Sequence, residues 1–209
     1  MPVENVVRLQ SGQKLVLATH NAGKVREFQR MMGEEVHIVS AEELGLAEPE
    51  ETGTTFVDNA LLKAKAAATA SGLVSMADDS GLAVAGLGGE PGIYSARWAG
   101  PGKDYAQAFA RIADELAGRH VKAPFNAAFV CVLAVVTPDG DQLVAEGRVD
   151  GTLVFPPRGE AGFGYDSIFV PEGAEKTFAE MAPDDKAAYS HRARAWRIMA
   201  PQLMPEVGQ

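Results

Sequence analysis

The hydrophobic and polar positions at the start of the chain predict a strand, a helix and a second strand. Residues 14–19 form a compact apolar run, which is typical of a buried strand, and residues 20–23 predict a turn. Residues 24–32 then predict a helix that ends at Gly33. With a second strand predicted over residues 36–39, the chain opens as β-loop-α-β, an arrangement typical of α/β folds.

The next pattern predicts a long amphipathic helix. Thr54 or Thr55 can cap its start, and the pattern runs to about Ser71 and ends at Gly72. One face is apolar and carries Val57, Ala60, Leu61, Ala64 and Ala68. Asn59 and Lys63 are four residues apart and lie together on another side, so we expect this polar pair to be separate from the helix's apolar contact.

The rest of the chain predicts a mixed sheet with further helices. A short strand over 74–77 is expected to end at residues 78–81, and Asp104 with Gln107 indicates a helix to about Leu116. Residues 126–136 and 142–149 predict a long hairpin around a turn at residues 138–140. The remaining predictions are strands at 151–154 and 168–170, a short helix at 184–189, and a last helix from Ser190 toward Met204, kinked or ended near Pro201.

No linker interrupts these patterns, so we expect an extension over residues 1–13 and one two-lobed domain over residues 14–209. The formal net charge of −9 argues against a partner such as nucleic acid, which requires a positive surface. No run of 18 apolar residues predicts a membrane span, and the start of the chain lacks a signal-peptide core. We therefore expect a cytoplasmic protein that does not bind membranes. The single cysteine, Cys131, is expected in the core.

Three segments carry the residue types that chemistry requires. The first lies between the first strand and the first helix, where helix amides, Gly23 and Lys24 are suited to an anion such as phosphate. The spacing is not that of a Walker A loop, and an ordinary turn with a solvated lysine remains an alternative.

The second segment is acidic. Asp78 and Asp79 are adjacent, and a bend at a strand end would let both approach one site. Mg²⁺ binds one or two protein carboxylates together with phosphate oxygens, and Glu50 and Glu51 offer further carboxylates. A turn stabilised by Asp and a solvated acidic loop remain alternatives.

The third segment alternates glycine with aromatic residues at 162–166, which suits close approach to a base and stacking on it. His191 and Arg192 follow Ser190 at a predicted helix start and can donate hydrogen bonds, with Lys186 a short distance upstream. A tight turn with two core aromatics and a structural histidine are the alternatives.

Taken together, the segments resemble the inosine triphosphate pyrophosphatase family, also called the Ham1 family. The resemblance is carried by six ordered stretches: LATHNAGKVREF (17–28), EETGTTFVDNALLKA (50–64), ADDSGLAV (77–84), GGEPGIYSARWAG (88–100), GFGYDSIF (162–169) and YSHRARA (189–195). It implies an α/β fold with a long mixed sheet and two α/β lobes around a central substrate cleft, usually in a homodimer. It also implies hydrolysis of ITP, dITP and XTP to the monophosphate and pyrophosphate with Mg²⁺.

The resemblance also implies roles for individual residues. Asp79 would be the catalytic base, and Glu51 and Asp79 would hold the metal, with Glu50 a less favoured substitute for Glu51. The residues implied to bind substrate are Thr19, His20, Asn21, Ala22, Gly23, Lys24, Lys63, Ser80, Phe163, Gly164, Tyr165, Asp166, Lys186, His191 and Arg192. His20 departs from the family pattern, where glycine is common, and is expected to narrow the phosphate loop.

Three other functions fit parts of the pattern. A Maf-type pyrophosphatase acting on modified pyrimidine nucleotides shares the reaction, but it should lack the SHR and FGYD segments. A nucleotide-binding module without catalysis would be favoured by loss of the acidic residues, yet Glu51, Asp78 and Asp79 are all present. A metal-independent sugar-phosphate binder is a weaker third.

Overall fold

The fold is that of a computed structural model, which describes residues 7–10, 12–33 and 36–204. Its strands and helices, in chain order, are β1 Lys14–Leu17, α1 Ala22–Met32, β2 His37–Ser40, α2 Phe56–Ser71, β3 Ser75–Val84, α3 Ser95–Trp98, α4 Tyr105–Gly118, β4 Phe125–Val136, β5 Gln142–Leu153, β6 Phe169–Pro171, α5 Pro183–Tyr189 and α6 His191–Leu203. Short 3₁₀ turns lie at Ala85–Leu87, Gly92–Tyr94, Asp166–Ile168 and Phe178–Glu180.

The six strands form one sheet in the order β2-β1-β3-β4-β5-β6. β1 pairs in parallel with both β2 and β3, whereas β5 pairs antiparallel with β6, so the sheet is mixed, as predicted. The parallel pairs at one side of the sheet require helical crossovers, which α1 and α2 provide.

The prediction of a short strand that ends at Asp78 was wrong. β3 is ten residues long and continues through Asp78, Asp79, Ser80 and Gly81 to Val84. A glycine in a strand interior marks a close approach of neighbouring backbone. A side chain at Gly81 would lie 2.2 Å from the Gly92 carbonyl oxygen and 2.6 Å from Ser95 Oγ, so this position has no room for one.

The chain divides into two compact units. The first unit comprises the described residues of Met1–Asp79, Val132–Gly147 and Arg194–Gln209. In its core, three alanines of α2 pack against Ala77 of β3 and the end of β4: Ala60, Ala64 and Ala68. Small side chains let the helix lie close to the sheet. Val57 shares this face but remains 36% exposed, because it belongs to the first turn of the helix and lies outside the packed cluster.

The second unit comprises Ser80–Cys131 and Arg148–Ala193. Its core combines Leu82 and Val84 of β3, the apolar face of α4, and a group of buried aromatic residues: Phe129, Tyr165, Phe169 and Phe178. Cys131, at the end of this unit's first segment, is buried as predicted.

The predicted helix boundaries are mostly confirmed. α1 begins at Ala22, two residues before the predicted start, with Asn21 as its cap, and it ends at Gly33 as predicted. Thr55 caps α2 through a capping box, and Gly72 ends α2 in a left-handed conformation. α4 runs two residues past the predicted end, and β5 includes the separate strand predicted at 151–154. α6 continues through Pro201 to Leu203. Within the described residues, the helices are too short or too polar to cross a bilayer.

Candidate functional site

The loop between β1 and α1 is ordered by its own side chains. Asn21 Oδ1 accepts hydrogen bonds from the backbone amides of Gly23 at 2.9 Å and Lys24 at 3.3 Å. The Asn21 amide donates to Thr19 Oγ1 at 3.2 Å. Asparagine is a favourable N-cap, and its carboxamide satisfies amides that have no partner within the helix. A phosphate that binds these two amides must therefore replace the cap, whereas the ammonium group of Lys24 reaches beyond the loop.

Lys24 pairs with the first aspartate of β3. Its Nζ lies 2.8 Å from Asp78 Oδ2, and the Asp78 side chain is almost completely buried. A buried carboxylate is costly unless an opposite charge and hydrogen bonds compensate for the lost water. This ion pair explains how the strand carries a charged side chain inside the first unit.

Lys63 of α2 lies between two carboxylates. Its Nζ donates to Asp79 Oδ1 at 3.0 Å and to Glu51 Oε1 in a still shorter bond. Asn59, one turn earlier in α2, donates to Asp79 Oδ2 at 3.3 Å and accepts from the Gly53 amide at 2.8 Å. The face of α2 that carries Asn59 and Lys63 was predicted to be separate from the apolar face. It is buried against carboxylate groups. Glu50 is exposed, so Glu51 is the acidic-loop residue that joins this contact.

We call Lys24, Glu51, Lys63, Asp78 and Asp79 the lysine–carboxylate cluster. Its three carboxylates outnumber its two lysines, which leaves one negative charge in excess. Burial alone lowers the pKa of Lys63, but Asp79, Asp78 and Glu51 together raise it above its ordinary value. Burial raises the pKa of Asp79, and Lys63 and Lys24 only partly offset this. The upward shift in the pKa of Lys63 shows that the surrounding carboxylates more than compensate for its burial.

The cluster meets the requirements of Mg²⁺ but not those of a fully protein-bound metal. Within the described residues, no group of three His, Cys, Asp or Glu side chains has the arrangement of a metal site. Mg²⁺ keeps several waters and is usually held by one or two carboxylates together with substrate phosphates. Glu51 and Asp79 converge on one cation, the Lys63 ammonium, and a carboxylate oxygen has lone pairs for a second partner. The two carboxylates therefore fit such an ion.

A second cluster lies in the second unit and surrounds Asp166. Asp166 Oδ2 accepts from the Phe163 amide and from Lys186 Nζ, both at 2.8 Å. A side chain at Gly162, whose φ is +78°, would lie 2.1 Å from the same oxygen. The glycine therefore allows the loop to close tightly on the carboxylate.

Two cations lie over the Phe163 ring. Lys186 Nζ is 5.1 Å and the Arg192 guanidinium carbon 5.2 Å from the ring centroid. His191 is buried with its ring stacked on Phe129 at 4.7 Å and an interplanar angle of 7°. We call Phe163, Asp166, Lys186, His191 and Arg192 the aromatic–cation cluster. It combines a half-buried aromatic side chain with buried positive charge, which is suited to a polar aromatic ligand.

Tyr165 has a structural role that agrees with the alternative of a tight turn with core aromatics. Its side chain is 3% exposed, and its hydroxyl donates to the Ser95 carbonyl oxygen at 2.8 Å. The Ser95 hydroxyl accepts from the Leu82 amide at 2.9 Å and donates to the Gly92 carbonyl at 2.6 Å. The Tyr165 ring therefore belongs to the core of the second unit.

His20 lies in the loop between β1 and α1. Its side chain is turned toward the acidic loop, with Nε2 3.0 Å from the Leu46 carbonyl oxygen and Nδ1 3.9 Å from Glu48 Oε2. Ala22 begins α1, and Ser80 is half-buried in β3 directly after Asp79. The sequence pattern predicted that Asn59 lies beside Lys63 but did not indicate a role for it. The local pattern gave no indication of the role of Ser95.

Comparisons with known proteins agree with one another. The sequence profile of the Ham1 family matches residues 15–202. A dITP/XTP pyrophosphatase of Caulobacter vibrioides is 57% identical over 185 residues, which are 88% of this chain and 95% of the relative. A second, of Rhodospirillum centenum, is 54% identical and covers 90% of this chain and 93% of the relative. The solved structure of a HAM1 protein from Coxiella burnetii matches with a TM-score of 0.81 at 36% identity, covering 90% of this chain and 96% of that one.

Removing Lys63 should destabilise the protein in a pH-dependent way. Lys63→Ala leaves Glu51 and Asp79 without their shared cation, and loss of one partner of a buried pair costs about 3 kcal/mol or more. Lys63 also restrains the upward shift of the pKa of Asp79, so in the variant that pKa rises further. A carboxyl whose folded-state pKa is raised loses stability as pH increases, so the deficit should be larger at pH 8 than at pH 5. Urea unfolding in metal-free buffer at pH 5 and at pH 8 measures this loss in the free energy of unfolding.

The matched control is Lys65→Ala, an exposed lysine on the same helix. It should change the free energy of unfolding little at either pH. Equal effects of the two substitutions, or a Lys63→Ala deficit that does not vary with pH, would contradict the assigned charge compensation.

Proposed function

The chain belongs to the Ham1 family, and on this premise we propose that it hydrolyses deaminated purine nucleoside triphosphates to the monophosphate and pyrophosphate. The observation that carries the proposal is the lysine–carboxylate cluster, which combines residues of α1, α2 and β3 with Glu51 and fits a metal-bound polyphosphate. The relatives named dITP/XTP pyrophosphatases, matched over nearly the whole chain, support the same activity. Nothing in these matches favours a Maf-type enzyme or a non-catalytic module.

The lysine–carboxylate cluster is assigned to the triphosphate. Lys24 supplies a positive charge near the N-terminus of α1, and Lys63 supplies a second one on α2. A helix N-terminus also favours an anion. Glu51 and Asp79 would hold Mg²⁺. When bound, that ion would offset the charge that develops on phosphate oxygens in the transition state. Positioning and electrostatics are the main contributions that a protein makes to phosphoryl transfer.

Asp79 is assigned as the base. Water attacks the α-phosphorus, its proton passes to an Asp79 carboxylate oxygen, and the bond from the α-phosphorus to the bridging oxygen breaks, releasing pyrophosphate. Burial raises the pKa of Asp79 in the metal-free protein, whereas a bound Mg²⁺ would lower it, so the assignment as base rests on the position of the carboxylate. Lys63 and Asn59 contact both of its oxygens and fix its orientation.

The aromatic–cation cluster is assigned to the nucleoside. Hypoxanthine and xanthine carry a carbonyl at the six position, whereas adenine carries an amino group there. Arg192 can only donate hydrogen bonds, so it pairs with the carbonyl and opposes the amino group. Phe163 offers an aromatic surface, which binds any base. Arg192 is therefore the source of the preference over adenine nucleotides in this proposal, whereas guanine has the same carbonyl and must be rejected through its two-amino group.

An assay of products over several triphosphates tests the function directly. ITP and XTP should yield monophosphate and pyrophosphate at least about 100-fold more efficiently than ATP, because a mismatched buried donor is costly. Activity should require Mg²⁺ and disappear with EDTA. Chromatography that detects diphosphate and orthophosphate instead would refute the proposal.

Asp79→Asn separates chemistry from folding. The substitution keeps the shape but removes the base and one negative charge that would hold the metal, so kcat for ITP should fall by about 100-fold or more. Stability should remain close to that of the wild type, because the ionised form of Asp79 is disfavoured by burial and Glu51 still pairs with Lys63. Asp114→Asn, at an exposed position of α4, is the control for kcat and for the midpoint of thermal unfolding. Near-normal turnover of Asp79→Asn would rule out the base assignment.

Arg192→Ala tests the selectivity. It should lower kcat/KM for ITP by about 10-fold or more, as expected for a lost hydrogen bond from a charged donor, and change the value for ATP much less. Arg197→Ala, an exposed arginine on the same helix, should leave the ratio of ITP to ATP unchanged. A ratio that stays constant in Arg192→Ala would assign this residue to phosphate binding or to structure.

The family resemblance supports a homodimer in the cytoplasm, where the nucleotide pool is found. Light scattering at micromolar concentration should report twice the chain mass of 22.1 kDa. A monomer under these conditions would refute the dimer and leave the catalytic assignment intact. Cell fractionation tests the compartment.

A further inference from the structure

Tyr105 is an aromatic residue beside the aromatic–cation cluster that neither the sequence motifs nor the assignments above include. It is the first residue of α4 and follows Asp104, whose side chain caps the helix by accepting from the Ala106 amide. The Tyr105 side chain is half-buried, so part of it remains accessible. The cap fixes the start of the helix and with it the backbone position from which Tyr105 projects.

The ring of Tyr105 lies against the glycine–aromatic loop. It packs edge-on against Tyr165, with centroids 5.3 Å apart and an interplanar angle of 83°. A side chain built on Gly164 would be 3.8 Å from Cε1 and Cζ of Tyr105 and 3.9 Å from its hydroxyl oxygen. The phenol end of Tyr105 therefore faces the side of Gly164 on which any other residue would carry its side chain. Because Tyr165 is anchored to Ser95, this packing holds Tyr105 in place.

The hydroxyl of Tyr105 also lies in the field of two members of the aromatic–cation cluster. Burial raises the pKa of Tyr105, Arg192 lowers it, and Asp166 raises it, with a net increase. The phenol is therefore neutral and protonated at physiological pH, and it can donate a hydrogen bond. A tyrosine hydroxyl in an amphipathic position commonly acts as such a polar handle.

We propose that Tyr105 is a specificity-determining residue of the nucleoside pocket, in which its hydroxyl, next to Gly164, donates a hydrogen bond to the carbonyl-bearing edge of a deaminated purine. The inference rests on the proposed function and adds a second donor to it. A neutral donor at this place pairs with a carbonyl and opposes the amino group of adenine, so it discriminates in the same direction as Arg192. The ring closes the wall of the pocket at Gly164.

Tyr105→Phe tests the hydroxyl alone, because the ring that packs on Tyr165 and Gly164 is kept. We expect kcat/KM for ITP to fall by about fivefold to tenfold, the range of a neutral hydrogen bond, while the value for ATP changes less than about twofold. The affinity for IMP, measured by titration calorimetry, should fall by a similar factor, and the midpoint of thermal unfolding should stay near that of the wild type. Tyr94→Phe, an exposed tyrosine of the same unit, is the control and should match the wild type.

Tyr105→Leu removes the ring as well and should weaken ITP further than Tyr105→Phe does. A ratio of kcat/KM for ITP to kcat/KM for ATP that stays unchanged in Tyr105→Phe would overturn the inference. Failure of the proposed function is distinguishable, because the wild type itself would then release no pyrophosphate from ITP. In that case IMP binding still decides the role of Tyr105: weaker binding by Tyr105→Phe supports it, and equal binding overturns it.

Discussion

The buried ammonium of Lys63, held between Glu51 and Asp79, is the interaction on which the first unit depends. Three carboxylates lie close together in this unit, and two of them are almost completely removed from water. Without compensating cations, their desolvation would cost more than the packing around them contributes. The position of α2 is therefore set by its charged residue as well as by its alanine face.

The strand order explains why two adjacent aspartates need two lysines from two helices. β1 lies between β2 and β3 and is parallel to both, so α1 and α2 cross in opposite directions along the sheet. Right-handed crossovers then place the two helices on opposite faces. Adjacent residues of a strand also point to opposite faces, so Asp78 meets Lys24 of α1 and Asp79 meets Lys63 of α2. Ala77, two residues before Asp79, accordingly packs against α2.

The sequence predicts features that depend on local chemistry and fails where distant residues decide. Thr55 and the glycines after α1 and α2 mark helix ends because caps act within a few residues. Asp78 to Gly81 resembles a turn by composition, yet β3 continues through it because lysines far along the chain neutralise its carboxylates. The family resemblance assigned Tyr165 to the ligand, but its hydroxyl is satisfied by Ser95, 70 residues away in the chain. Tyr105 lies outside the sequence motifs, and its position near Gly164 is seen only in the folded protein.

The charge balance of the first unit also constrains how an anionic substrate binds to an acidic protein. Lys24 and Lys63 are already neutralised by carboxylates, and the cluster as a whole carries an excess negative charge. A triphosphate that approached this site alone would meet repulsion from Glu51, Asp78 and Asp79. Each lysine must exchange part of its contact with a carboxylate for a contact with phosphate, and the released carboxylates then require another cation. A divalent ion supplies that charge at the place where the two carboxylates converge, so binding of substrate and ion is expected to be mutually dependent.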